Sequence, residues 1–258
     1  MNEFFIFVEA LKKELCELNI DVVAFDATDS TNTRAKAYAA DAADLQNPIL
    51  FIAKEQSAGR GRLGRDFVSR ADGGIYMTLL YFTREPLCRA VTVTTAAAVA
   101  AAKAINGVSG ESVGIKWVND IYSDQGKIAG ILVESVPTDN GRAVAVGIGI
   151  NVGVSEFPPE IKDIAASIAP LDPQKKSKLI TGICRDVLRC ARDPENRGYM
   201  KDYRELFVLQ GKTVDIYVSG EYKFRGTVGG VDDDGGLIVL HDGQTTIFSS
   251  GEVTVRTV

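Results

Sequence analysis

The sequence predicts an α+β fold, with a mixed or largely antiparallel sheet flanked by helices and a small β-barrel after it. Three observations carry that expectation. Up to residue 206, stretches with helical apolar spacing alternate with short β-branched runs. Between residues 113 and 152 three strands follow one another with only short Gly, Asp and Asn turns, which makes them antiparallel neighbours. From Gly211 onward the chain is β-branched residues cut by Gly and Asp turns.

Phe4, Phe7, Val8, Leu11, Leu15 and Leu18 share one face of residues 4–18, with Lys12, Lys13, Glu14 and Glu17 between them. This is an amphipathic helix. A winged helix for DNA needs several elements and has no room before residue 25, so no N-terminal DNA-binding domain is expected. Residues 22–25 form a short strand, and Asp29-Ser30-Thr31-Asn32 caps a helix through about residue 40. Strands follow at 49–54 and 74–82. The alanine-rich helix 90–105 is expected to stop at Asn106-Gly107. Strands at 113–117, 127–135 and 143–152 turn at Asp124-Gln125-Gly126 and Asp139-Asn140-Gly141. Helices 176–192 and 197–206 lead to five strands at 213–218, 222–228, 237–240, 245–248 and 253–258. The division into units is expected as 1–208 and 209–258.

With 258 residues, 45% of them hydrophobic, the chain can bury one sizeable core plus a small second unit. Its net charge of -5 argues against nucleic acid as the main partner, because such binding neutralises phosphates. Cys16, Cys88, Cys184 and Cys190 form no CxxC pair, so no zinc site is expected. His241 is the only histidine and has no nucleophile motif near it. The N-terminus lacks the basic start of a secretory signal. No segment approaches the roughly 20 apolar residues of a membrane span, and a cytoplasmic location is expected. Asp232-Asp233-Asp234-Gly235-Gly236 lacks the closing glutamate of a calcium loop and reads as a hairpin turn.

Four clusters carry the chemistry. Residues 55–65 hold three glycines (Gly59, Gly61, Gly64) among three arginines (Arg60, Arg62, Arg65). Glycine lets backbone approach a ligand, and arginine offers a fork of donors to phosphate or carboxylate. The stretch matches GxGxxG, but no helical pattern follows, so it is not a dinucleotide fingerprint. It also lacks the Gly-Lys-Ser/Thr of a P-loop. The second cluster is Lys116-Trp117-Val118-Asn119-Asp120. The third, Gly126-Lys127-Ile128-Ala129-Gly130, places a lysine at the mouth of a buried strand, either snorkelling or a ligand group. The fourth, Gly147-Ile148-Gly149-Ile150-Asn151, sets two glycines in a strand, a sign of close approach by a ligand or another backbone. Asn151 offers paired donor and acceptor atoms that fit a purine edge.

Ser30-Thr31-Asn32 and these four clusters, in this order, resemble the biotin protein ligases over roughly residues 22–155. The resemblance implies a catalytic domain like that of class II synthetases and a C-terminal SH3-like barrel. It implies adenylation of biotin by ATP with Mg2+, then transfer to a lysine of a biotin carboxyl carrier domain. It implies biotin contacts from Ser30, Thr31, Asn32, Gln56, Gly59, Arg60, Arg62, Lys127 and Gly130. Adenylate contacts are implied for Arg60, Arg62, Arg65, Phe67, Lys116, Asn119, Lys127 and Asn151. Arg62 and Lys127 are the expected catalytic cations, and no residue is assigned to a metal. Asp120, beside Asn119, is a candidate to position the carrier amine and take its proton. Val118 stands where the family usually has proline, and Phe67 where it has tryptophan. Phe67 keeps an aromatic face but loses the indole donor. The chain is expected to be a monomer or homodimer. A lipoate or octanoate ligase of the same fold is the alternative. Residues 57–73, rich in Gly and like charge, are expected to be mobile until adenylate binds.

Overall fold

The computed structural model describes residues 3–41, 46–71, 73–84, 90–138, 141–249 and 253–257. In chain order the first elements are α1 (Glu3–Cys16), β1 (Asp21–Thr28), α2 (Thr31–Asp41), β2 (Ile49–Gln56) and β3 (Gly74–Thr83). Then come α3 (Ala90–Ser109), β4 (Gly114–Lys116), β5 (Asp120–Ser123), β6 (Gly126–Thr138) and β7 (Gly141–Asn151). These strands form one seven-stranded sheet in the order β1-β2-β3-β7-β6-β5-β4. β1 and β2 run parallel with α2 as their crossover, and the other neighbours are antiparallel. The sheet is therefore mixed, as the sequence predicts.

Both faces of the sheet are covered. Leu50 and Ile52 point into the main core with Leu11, Leu15, Ala97, Ala101 and Ile180, which come from α1, α3 and α4 (Pro173–Arg192). Ile49 and Phe51 point the other way, against Ala35 and Ala39 of α2. Two-sided burial is why β2 reads as a continuous apolar run rather than an alternating one. In α4, Gly182 is open: a Cβ added there would meet only Ala104 Cβ, at 4.0 Å. Gly182→Ala is expected to stabilise the protein by about 0.5–1 kcal/mol, read as a rise in the urea midpoint at constant slope.

Three sequence expectations are corrected. α3 runs through Asn106-Gly107 and ends before Gly110, whose φ of +76° stops it. Asn106 instead reaches forward, where its Oδ1 accepts from Val113 N at 2.9 Å. β5 was not foreseen: residues 117–119 form a tight turn, and Asp120–Ser123 pairs back on β4. Val91–Ser109 is also long and apolar enough to cross a membrane, against the expectation that no segment is. Its apolar surface is spent on packing: 67% of that stretch is buried, and α3 contacts α4, α5 (Tyr199–Leu206) and β6.

The second sheet holds β8 (Thr213–Val218), β9 (Glu221–Val231), β10 (Leu237–His241), β11 (Gln244–Phe248) and β12 (Val253–Thr257). All its pairs are antiparallel, in the order β11-β10-β9-β8-β12. Val214, Ile216, Val228 and Val239 from this sheet join the main core. The acidic run is the β9–β10 turn: Asp232 Oδ1 accepts from Asp234 N at 3.0 Å and Gly236 N at 2.7 Å. Asp233 pairs with Arg204, and Trp117 Nε1 donates to Gly235 O at 2.9 Å. The turn is thereby docked on the β4–β5 turn. Among the described residues no group of three or more His, Cys, Asp or Glu is placed to hold a metal ion. Burial pushes the Cys184 thiol up to about 12 and raises that of Cys190, which suits inert packing residues. Cys88 and the turn residues 139–140 lie outside the described residues.

Candidate active site

A cavity of about 650 Å³ opens over β6 and β7. Ser30, Thr31 and Asn32 line it from the start of α2, Gln56 from the end of β2, and Arg60, Arg62, Arg65 and Phe67 from the loop after β2. The β4–β5 hairpin adds Lys116, Asn119 and Asp120, β6 adds Lys127 and Gly130, and β7 adds Asn151. Gly59 is the exception among the residues singled out from sequence. It is absent from the lining, and a Cβ there would sit 2.3 Å from Phe67 O. Gly59 lets the loop close on itself, with Phe67 N donating to Gly59 O at 2.9 Å.

The strand glycines recess the cavity floor. A Cβ on Gly147 would come within 2.1 Å of Asn32 Oδ1, and one on Gly149 within 2.5 Å of the Phe67 ring. The close neighbours of these glycines are thus side chains, not a second backbone. Gly130 lies under Lys127 and Phe67, at 3.4 and 3.6 Å from its would-be Cβ.

The polar end of the cavity is tied into one network. Thr31 N donates to Gln56 Oε1 at 2.8 Å, satisfying an amide that the first turn of α2 leaves open. Gln56 Nε2 donates to Ser69 Oγ at 2.8 Å, which pins the returning limb of the loop. Thr78 Oγ1, fully buried on β3, lies 2.8 Å from Thr31 Oγ1 and 2.6 Å from Asn32 Oδ1. Asn32 Nδ2 donates to Glu134 Oε2 at 2.9 Å, and Lys36 Nζ lies 2.5 Å from Glu134 Oε1. Burial pushes the Glu134 carboxyl up, but the hydrogen bonds from Lys36 and Asn32 outweigh it and hold the group below its ordinary value. The Asn32 amide is engaged at both ends, and Thr78 links it to Thr31.

Arg62 is half-buried, and its Nη1 donates to Asn119 Oδ1 at 2.9 Å. Asn119 Nδ2 donates in turn to Ile131 O at 2.7 Å. Burial lowers the Arg62 pKa, with Asp120 opposing that shift, and a guanidinium stays cationic regardless. Lys127 Nζ lies 2.6 Å from Asp120 Oδ1. Lys116 lies 5.2 Å from the Tyr122 ring centre, and burial lowers its pKa. Asn151 Nδ2 donates to Ala166 O at 2.9 Å, so the donor half of its amide holds the 165–168 segment.

The loop is folded against the cavity. Residues 62–64 make a single 3-10 turn, and the backbone of Arg60 pairs with that of Asp66, as does that of Gln56 with Ser69. Arg65 Nη2 reaches Thr254 Oγ1 at 3.2 Å. Sequence reasoning missed several lining residues: Tyr122, the apolar wall of Phe157, Ile161 and Ile164, and Thr254 and Arg256 of β12.

The sequence pattern of the Biotin/lipoate A/B protein ligase family matches residues 24–151. Over 244 residues the chain is 30% identical to the biotin--[acetyl-CoA-carboxylase] ligase of Mycobacterium tuberculosis, covering 91% of this chain and 88% of that protein. The chain belongs to the biotin/lipoate protein ligase family. Among other members, the Bacillus subtilis bifunctional ligase/repressor BirA is 32% identical over 212 residues. That match takes in 78% of this chain and 64% of the Bacillus protein, so the chain spans under two thirds of that relative's length. The Aquifex aeolicus biotin protein ligase in complex with biotin and ATP superposes with a TM-score of 0.77 at 25% identity, covering 92% of this chain and 99% of that one. The likeness thus extends over nearly the whole chain.

Proposed function

We propose that the protein is an ATP-dependent biotin ligase. It joins the biotin carboxylate to the α-phosphate of ATP, giving biotinyl-5′-AMP and pyrophosphate, and then acylates a lysine of a biotin carboxyl carrier domain. Mg2+ enters with ATP as part of the substrate. The observation that carries this reading is one cavity that gathers the Thr31–Gln56 hydroxyl and amide groups with the cations Arg60, Arg62, Lys116 and Lys127 over a glycine-recessed floor. Hydroxyl and amide groups suit the ureido ring of biotin. The cations suit a carboxylate and phosphates whose charge grows in the transition state.

In this scheme Ser30, Thr31 and Gln56 hold the ureido ring, and Asn32 fixes Thr31. Arg60 and Arg62 close over the carboxylate and phosphates. Lys127 neutralises the carboxylate and then the acyl-phosphate oxygen. Phe67 offers its face to adenine, while Lys116, Arg65, Asn119 and Asn151 border the adenylate. Asp120 takes a proton from the carrier amine, whose ordinary pKa of about 10.4 leaves little free base at pH 7. We place the protein in the cytoplasm as a monomer or homodimer that does not bind DNA, and divide it at residue 209 into a ligase domain and a small β domain.

The polar hydroxyl and amide groups also separate this reading from a lipoate or octanoate ligase, whose acyl chain is apolar. Exchange of labelled pyrophosphate into ATP, run with biotin, lipoate and octanoate in parallel, tests it. Exchange with biotin alone is expected. Exchange with lipoate or octanoate instead of biotin would transfer the specificity to that acid.

A second expectation concerns the loop. Trypsin is expected to cut at Arg60, Arg62 or Arg65 in the free protein and several-fold more slowly with biotin and ATP present. Equal rates would mean that ligand does not close the loop.

A further inference from the structure

Lys127 and Asp120 are the two groups that the proposed reaction sends to different substrates, yet in this structure they hold each other. Lys127 Nζ lies 2.6 Å from Asp120 Oδ1, with the side chains 30% and 24% exposed. The sheet dictates this contact. Tyr122 pairs with Lys127 across the β5–β6 ladder, Asp120 pairs with Gly130, and the register shifts between Ile121 and Tyr122. Asp120 and Tyr122 point to one face, so Asp120 meets Lys127 on the diagonal. The neighbouring cations are engaged elsewhere: Arg62 on Asn119, Lys116 over Tyr122, and Arg65 on Thr254. The other acid in the cavity lining is Asp66, whose side chain lies exposed on the loop.

We propose that Asp120 is a positioning residue for the first step: it holds Lys127 in the empty site, and the incoming substrate carboxylate takes its place. This rests on the acid-adenylating reading given above. Binding the acid and releasing Asp120 become one exchange of anions on a single ammonium. The consequence reaches the second step. With Lys127 on the acyl phosphate, the freed Asp120 carboxylate accepts one proton from the carrier ammonium. The amine nitrogen bonds to the acyl carbon, the acyl carbon–oxygen bond to phosphate breaks, and the second surplus proton leaves with AMP. Without acyl-adenylate, Asp120 stays paired and is not offered to an amine. Transfer is thereby ordered after activation by charge alone.

The test compares an acid with its uncharged ester. Calorimetric affinities of biotin and biotin methyl ester, without ATP, are measured for the wild type, Asp120→Asn, Lys127→Met and the double variant. Asp120→Asn is expected to bind the acid about two- to fivefold tighter, the scale of breaking a partly exposed ion pair, with ester affinity unchanged. Lys127→Met is expected to lose the preference for acid over ester, and Asp120→Asn to add nothing in that background. A merely structural role for Asp120 would move acid and ester together. An acid-to-ester ratio in Asp120→Asn equal to or below that of the wild type overturns the exchange. Asp120→Ser carries the same comparison if the asparagine variant does not fold. Octanoate and its methyl ester are run alongside. If biotin fails to bind but the octanoate ratio shifts, the exchange stands and the biotin reading falls. A flat ratio for every acid that binds overturns the exchange alone.

Discussion

Arg62→Ala is expected to lower kcat/KM for biotin-dependent pyrophosphate exchange by about 10²–10³, the loss seen when one preorganised donor to a developing charge is removed. That is roughly 3–4 kcal/mol of transition-state stabilisation. Three features set the magnitude. The guanidinium is half-buried, so water screens it less than a surface charge. With the loop closed it is held by Asn119 Oδ1 at 2.9 Å, and Asn119 is itself fixed on Ile131 O at 2.7 Å. Its reorganisation in the reaction is therefore small. Arg62→Lys keeps the charge but loses the planar fork, and a fall of about tenfold or more is expected for it. Asn119→Ala leaves the cation in place but unaimed, so its loss should lie between wild type and Arg62→Ala. An Arg62→Ala enzyme within threefold of wild type would remove this side chain from the chemistry. Melting curves should separate the two effects, because a partly exposed loop side chain carries little of the fold.

The parts of the fold and site that could be read in sequence are those with local signals. The two-sided apolar run of β2, the alanine face of α3 and the Gly/Asp turns after Gly211 each report a period or a turn that the backbone then adopts. β5 escaped because it is four residues long and its turn, Trp117-Val118-Asn119, contains no glycine. Residues 155–172 escaped because they pair only through isolated bridges, Lys127 with Ala165 and Val152 with Ile168, and so show no period. They nevertheless supply the apolar wall of the cavity. Side-chain partnerships were least legible of all. Asn32 and Glu134 are 102 residues apart, and Thr78 reads as an ordinary strand residue until the fold places its hydroxyl between Thr31 and Asn32. Lys127 on its own was ambiguous between snorkelling and ligation; its contact with Asp120 shows a head group held at the cavity rather than in bulk water.

Gly147 is where the fold and the site meet most tightly, and Gly147→Ala is expected to damage both. The added Cβ would lie 2.1 Å from Asn32 Oδ1, 2.8 Å from its Cγ and 3.0 Å from its Nδ2. Relief requires either Asn32 or β7 to move. Asn32 is fixed at both ends of its amide, by Thr78 Oγ1 at 2.6 Å and Glu134 Oε2 at 2.9 Å, and is 4% exposed. β7 is paired on both sides, with β3 and β6, so its backbone cannot yield without breaking two ladders. Overpacking a rigid interior costs about 1–3 kcal/mol, and leaving the buried Asn32 amide unpaired adds a similar amount. For a chain of this size that lowers the melting midpoint by about 5–10 °C. Since Asn32 fixes Thr31 through Thr78, biotin affinity should fall more than ATP affinity. Asn32→Ala in the Gly147→Ala background should relieve the clash, recovering part of the stability but not the biotin affinity. A Gly147→Ala protein with wild-type stability would show that Asn32 can leave its site freely, and the network would then not be what holds Thr31 in place.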